Sequence, residues 1–159
     1  MRSKTHIQIV RTADPRSLRA CARFMAQSEP WLTLGRDYSA CLKSVSAPLR
    51  EVYAAREKGK DLGFIILQMT GTFKGYIQTI CVGPDARGRG IGTLLILFAE
   101  ERIFRESPNV FICVSSFNKA ARRLYARLGY QKTGLLKDFV VRGHDELLLR
   151  KTRGPLDGR

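Results

Sequence analysis

The stretch Gly83-Pro84-Asp85-Ala86-Arg87-Gly88-Arg89-Gly90-Ile91-Gly92-Thr93 has the residue types that hold an anion. Glycines let main-chain N–H groups approach a ligand that a Cβ would hold off. Behind the turn, Ile91, Leu94, Leu95 and Phe98 recur at helical spacing. A helix N-terminus there supplies unpaired donors and the positive end of a dipole. Arg87 and Arg89 add full charges, and the whole suits a pyrophosphate. Two familiar phosphate loops do not fit. A dinucleotide fingerprint has Gly-x-Gly-x-x-Gly after the first strand of a parallel sheet, whereas Gly88, Gly90 and Gly92 run on into Thr93 and Leu94. The ATP loop needs Gly-Lys-Ser/Thr ahead of its helix, and no such run occurs. The plainer alternative is a glycine connection that only shapes a strand-to-helix corner.

Other groups capable of chemistry are few. Tyr125 shares a helical face with Ala121, Leu124 and Leu128, and spacing alone assigns it to the core. Cys21, Cys41, Cys81 and Cys113 form no Cys-x-x-Cys pair, lie among apolar neighbours and read as reduced, buried thiols. With only His6 and His144 beside them, no ligand set for a metal emerges. Cys81 has no His–carboxylate pair near it in sequence and is not read as a nucleophile.

These residues need elements to position them. His6–Arg11 alternates enough for a first strand. Asp14-Pro15 is a helix cap followed by proline at the first helical position, and the helix runs to about Gln27 with Leu18, Cys21, Ala22 and Met25 inward. Ser28-Glu29-Pro30-Trp31 breaks it, and a second short helix covers Arg36–Val45. Arg50–Arg56, Leu62–Thr70 and Tyr76–Val82 follow at short spacing as an antiparallel meander. After the glycine turn come a helix to about Arg105, a buried strand Asn109–Ser115, and a helix capped by Asn118 and stopped at Gly129. Tyr130–Leu136 and Asp145–Arg150 close the chain as strands, leaving 152–159 as a basic tail. With no repeat or linker, residues 1–151 read as one α/β domain.

The 159 residues suffice for one full core, and the 44% hydrophobic content excludes general disorder. No apolar run reaches the roughly 18 to 20 residues of a membrane span. The basic start Met1–His6 is not followed by an apolar signal region, so the expected location is the cytoplasm. A formal net charge of +14 attracts polyanions: a phosphorylated cofactor, an acidic acceptor or nucleic acid. The cations are scattered, and the chain lacks both the interleaved aromatics of an RNA-binding sheet and a recognition-helix motif. Nucleic acid is therefore not the expected partner.

Two blocks together resemble the GNAT superfamily of acetyl-CoA-dependent N-acetyltransferases. Arg87, Gly90 and Gly92 meet the family's signature of Arg or Gln, two residues, Gly, one residue, then Gly or Ala, and Ile80-Cys81-Val82-Gly83-Pro84-Asp85 looks like its preceding strand. Downstream, Asn118-Lys119-Ala120-Ala121-Arg122-Arg123-Leu124-Tyr125-Ala126-Arg127-Leu128-Gly129-Tyr130 matches its Asn-x-x-Ala-x-x-Leu-Tyr-x-x-Leu-Gly-Phe/Tyr block. The resemblance covers about Arg50 to Lys151; before Arg50 only the order of elements matches.

The resemblance implies a mixed, mostly antiparallel central sheet flanked by helices, with a V-shaped splay between strands four and five. It implies acetyl-CoA as donor and direct acetyl transfer to an amine, either a small primary amine or a protein α-amine or lysine. Main-chain groups of Ile80, Cys81 and Val82 would hold the pantetheine arm and acetyl carbonyl. Arg87, Gly88, Arg89, Gly90, Ile91, Gly92 and Thr93 would hold the pyrophosphate. Asn118 would bond the pantetheine region, and Lys119 or Arg122 would approach the phosphates. Tyr125 matches the family's general acid, and Trp31, Arg36 and Tyr38 fall where relatives line the acceptor site. Many relatives carry a glutamate on the fourth strand, where this chain has Gln78 and Thr79. The base is then a water relay or a carboxylate from elsewhere, such as Glu29, Asp138 or Glu146, and no residue is assigned. His144 is of an acid–base residue type but reads as a loop residue. A GNAT-fold sensor that binds acyl-CoA without transfer and a basic nucleic-acid-binding module are the alternatives, and a homodimer stays open.

Overall fold

The computed structural model describes residues 6–159; the first five residues of the basic start lie outside the described residues. The chain opens with strand β1 (Gln8–Arg11) and helix α1 (Pro15–Ala26), where the Asp14 carboxylate accepts from the Ser17 amide at 3.3 Å and Pro15 occupies the first turn. Helix α2 (Tyr38–Val45) begins later than the expected Arg36 because Asp37 caps it, accepting from the Ala40 amide at 2.8 Å. Strands β2 (Glu51–Glu57), β3 (Lys60–Gln68) and β4 (Tyr76–Val82) form the expected meander. A single 3-10 turn, Pro84–Ala86, absent from the sequence reading, links β4 to the glycine turn. Helix α3 (Ile91–Phe104), strand β5 (Asn109–Ser115), helix α4 (Lys119–Arg127) and the hairpin of β6 (Gln131–Leu136) and β7 (Glu146–Thr152) complete it.

The seven strands make one sheet in the order β1-β2-β3-β4-β5-β7-β6, antiparallel throughout except for the parallel pair β4–β5. This is the mixed, helix-flanked architecture that the resemblance implies. β7 runs past the expected Arg150 to Thr152, opposite Asn109. Arg153 then donates its amide to the Pro108 carbonyl at 2.8 Å and lays its guanidinium 3.9 Å from the centre of the Phe104 ring.

Each face of the sheet carries its own core. Cys21, Ala22 and Met25 of α1 and Cys41 and Val45 of α2 pack on Val52, Phe64, Ile66 and Cys81. On the opposite face Ile91, Leu95, Ile96, Ala99 and Ile103 of α3 pack on Ile65, Leu67, Ile77, Val110 and Ile112. Each large aliphatic side chain so buried contributes about 2 kcal/mol. β3, sandwiched between both cores, is accordingly apolar without a break from Leu62 to Leu67. Among the described residues no helix is long and apolar enough to cross a membrane.

Candidate active site

β4 and β5 pair only at Tyr76 with Phe111 and Ile77 with Ile112. On the other edge of β4 the register with β3 slips at the same level. Ile66 faces Thr79 and Leu67 faces Ile77, so Gln78 is an extra residue, a bulge. Regular alternation would put Ile77 and Cys81 on one face; the inserted residue sends Ile77 to the α3 core and Cys81 to the α1–α2 core. Beyond this point the two strands diverge, and main-chain groups of β4 that face β5 lack a strand partner. A cleft of about 650 Å³ opens there, walled by Ile80, Cys81 and Val82 on one side and Cys113, Val114 and Ser115 on the other, with Tyr125 of α4 at its edge.

One end of the cleft meets the glycine turn. Gly88 and Gly90 sit at φ of 73° and 75°, left-handed conformations that side-chain-bearing residues resist, and a Cβ on either would meet no protein atom within 4 Å. Gly90 is the N-cap of α3 and offers no side-chain cap. The Leu94 amide bonds back to the Gly90 carbonyl at 3.0 Å, which leaves the amides of Ile91, Gly92 and Thr93 as the free donors of the helix start. The Ile91 side chain is buried in the core, so only its main chain can serve a ligand. The fit to a pyrophosphate is good: a concave run of N–H groups, a helix dipole and open space over the turn.

The charged side chains nearby are already engaged. Arg87 donates to the Ser28 hydroxyl at 2.7 Å, Arg89 to Glu57 at 2.7 Å, and Arg122 to the Ser116 carbonyl at 2.9 Å. Asn118 caps α4, its Oδ1 accepting from the Ala121 amide at 3.2 Å, and keeps its NH2 as the donor it can offer. Of the residues expected at the cofactor, Ile80, Cys81, Val82, Arg87, Gly92 and Asn118 line the cleft; Gly88, Arg89, Gly90, Ile91, Thr93 and Arg122 lie outside its wall.

The middle of the cleft holds the groups that can move protons. Tyr125 is buried, stacked edge-on to Tyr130 at 5.9 Å between ring centres, and burial alone pushes its phenol upward. It is protonated at neutral pH and able to donate. Glu146, at the start of β7, is 5% exposed and faces Ser115 directly across the β5–β7 ladder. The Ser115 hydroxyl donates to its Oε1 at 2.5 Å. Burial raises the Glu146 carboxyl above the usual range, while Ser115 and the nearby His144 pull it back down. His144 itself packs edge-on against Phe117, ring centres 5.1 Å apart.

The other candidates are engaged elsewhere or lie off the cleft, Glu29 being on its wall. Glu29 receives both the amide and the hydroxyl of Thr33, at 3.1 and 2.9 Å, on an exposed turn. Asp138 accepts from the Gly143 amide at 2.6 Å within the β6–β7 loop, outside the cleft wall. Gln78 is held by Arg50 and by Ser44. Burial pushes the Cys81 thiol up to about 11, the opposite of what a nucleophile needs. Trp31, Leu32, Arg36, Phe139 and Val140 also line the cleft, whereas Tyr38 is not part of the wall. Ser115, Phe139 and Val140 carry no chemical motif in the sequence. Only the cross-strand register brings the first of them to Glu146.

The model of the Acetyltransferase (GNAT) family matches residues 15–130. The chain is 31% identical over 143 residues to the N-alpha-acetyltransferase RimI of Mycobacterium tuberculosis, covering 86% of this chain and 89% of the relative. Among solved structures, an aminoglycoside 6'-N-acetyltransferase complexed with coenzyme A superposes with a TM-score of 0.73 at 17% identity, over 93% of this chain and 98% of that one. The ribosomal-protein-S18-alanine N-acetyltransferase from Escherichia coli superposes with a TM-score of 0.72 at 19% identity, over 94% and 96%. At those identities the two structures speak to the fold alone.

Proposed function

Because the chain belongs to the GNAT acetyltransferase family, we propose that it moves the acetyl group of acetyl-CoA directly to an amine, with a polypeptide α-amine as the leading acceptor and a lysine or small primary amine as the others. The observation that carries this is the parting of β4 from β5 beyond Ile77 and Ile112, aimed at the glycine turn ahead of α3. The α-amine takes precedence because one relative, matched over 89% of its length, is named an N-alpha-acetyltransferase.

In this reading the amides of the Arg87–Thr93 turn hold the pyrophosphate, helped by Arg87 once it leaves Ser28. Unpaired main-chain groups of Ile80, Cys81 and Val82 hold the pantetheine arm and the thioester carbonyl, where a donor stabilises the oxyanion as it forms. Asn118 offers its NH2 to the pantetheine. Bound acetyl-CoA supplies an acyl carbon activated by a thiolate leaving group. Tyr125, neutral and without a hydrogen-bond partner among the described residues, protonates the departing sulfur. Cys81 forms no covalent intermediate.

The test is a panel of peptides, lysine derivatives and small amines incubated with acetyl-CoA and followed by release of free thiol. Acceptor-dependent release is expected, fastest with a free peptide N-terminus. Tight acetyl-CoA binding without release on any amine would instead support a sensor.

A further inference from the structure

We infer that Glu146 is the group that takes the proton from the acceptor ammonium, with Ser115 as its positioning residue. The inference rests on the acetyltransferase reading above and supplies the base that reading leaves open. An amine attacks only as its neutral form, so a group at the cleft must accept a proton before C–N bond formation. Two carboxylates line the cleft, Glu29 and Glu146. Glu29 is exposed and has Thr33 bound to both of its oxygens. Glu146 is buried and bound at Oε1 alone; among the described residues its Oε2 accepts no hydrogen bond.

A half-satisfied buried carboxylate is costly to keep, and Ser115 and His144 offset that cost only in part, so the carboxyl stays raised. β5 presents Ser115 and Cys113, β4 presents Tyr76, the segment before β7 presents His144, and the paired residue of β6 is Leu136. Among the described residues no Lys or Arg acts on it. The absence of a fixed cation suits a site that receives one from the substrate. Burial holds the carboxyl above its ordinary value, toward the range where a base works best at neutral pH.

The proton account closes. The acceptor R–NH3+ gives one proton to Glu146, which later returns it to solvent. The neutral nitrogen attacks the thioester carbon, forming C–N and a tetrahedral oxyanion. As the C–S bond breaks, the electron pair leaves on sulfur, and Tyr125 protonates it. The second proton lost by nitrogen restores Tyr125. One amide, one free thiol and one released proton result.

The experiment measures kcat, the pH profile of kcat/KM, acetyl-CoA affinity and melting temperature for Glu146→Gln and Ser115→Ala, using the best acceptor of the panel. Glutamine still accepts from Ser115 but takes no proton. Glu146→Gln is expected to lower kcat by about a hundredfold or more at neutral pH, with acetyl-CoA affinity unchanged. Its acid limb should move up to the titration of the acceptor amine itself, so that activity returns at high pH. Ser115→Ala, by removing the bond that lowers the carboxyl, should shift the wild-type acid limb to higher pH, and this variant carries the test if Glu146→Gln does not fold. A merely structural Glu146 would cost melting temperature and leave both limbs in place. Wild-type kcat and an unmoved limb in Glu146→Gln, or an unmoved limb in Ser115→Ala, would overturn the assignment. Failure of the wild-type protein to acetylate any amine would defeat the proposed function itself, which keeps the two outcomes distinct.

Discussion

Tyr125 has a packing role and a proposed proton-donor role that a substitution can separate. Its ring packs against Tyr130 and the α3 core, and its hydroxyl has no protein partner among the described residues. Tyr125→Phe keeps the ring, so stability should change by about 1 kcal/mol or less. If the phenol protonates the thiolate, kcat should fall roughly a hundredfold when chemistry limits the rate. Acetyl-CoA affinity should hold, because the phenol acts in the transition state. Full activity in a folded phenylalanine variant, with chemistry shown to be slow, would return Tyr125 to the core. Its place on an apolar helical face was legible in the sequence; its place on the cleft wall was not, since periodicity describes the ring's side of the helix and not what the sheet leaves open beside it.

At the scale of elements, the corner from β4 into α3 is the proposed seat of the cofactor, and a salt bridge ties α3 to the sheet. A Cβ at Gly90 meets no protein atom within 4 Å, which leaves room there for a ligand, although φ of 75° itself costs a side-chain-bearing residue about 1 to 2 kcal/mol. Gly90→Glu should therefore fold and yet abolish acetyl-CoA binding in calorimetry, through lost volume and like charge. The melting temperature of the wild type should rise with acetyl-CoA, and that of the variant should not. Across the same helix, Arg102 forks onto Glu51 of β2 at 3.0 and 2.8 Å, while Tyr53 donates to the same carboxylate at 2.6 Å. Burial alone would raise Glu51, but these donors outweigh it and hold the carboxyl below its ordinary value. A carboxyl lowered by folding stabilises above its unfolded value and loses that contribution as pH falls through its folded one. Arg102→Met should thus cost about 2 kcal/mol at neutral pH. The deficit relative to wild type should shrink in melts taken under acid conditions.

For the molecule as a whole the net charge of +14 sets the field. Lys119, Arg122, Arg123 and Arg127 are exposed along α4, and the block that holds Asn118 and Tyr125 is thereby also a basic flank of the cleft. If this field serves mainly a polyphosphate cofactor, acetyl-CoA affinity should weaken as salt rises, with duplex DNA and RNA binding only loosely at physiological ionic strength. Salt-resistant, sequence-dependent binding of nucleic acid in a filter or anisotropy assay would overturn that view.

The sequence by itself determined the order and type of nearly every element, with β4 and β5 matching residue for residue, because proline, glycine and cap residues punctuate the chain and apolar spacing fills the intervals. It also determined the turn, since φ above zero at Gly88 and Gly90 is a local demand that residue type alone reveals. What the tertiary structure decided is whatever depends on register between distant segments. The bulge at Gln78 and the parting of β4 from β5 exist only in the pairing of β4 with other strands. The choice among Glu29, Asp138 and Glu146 was open in the sequence because a carboxylate's chemistry depends on burial and partners, and these come from the opposite strand: Ser115 stands against Glu146, Thr33 occupies Glu29, and Asp138 holds its own loop.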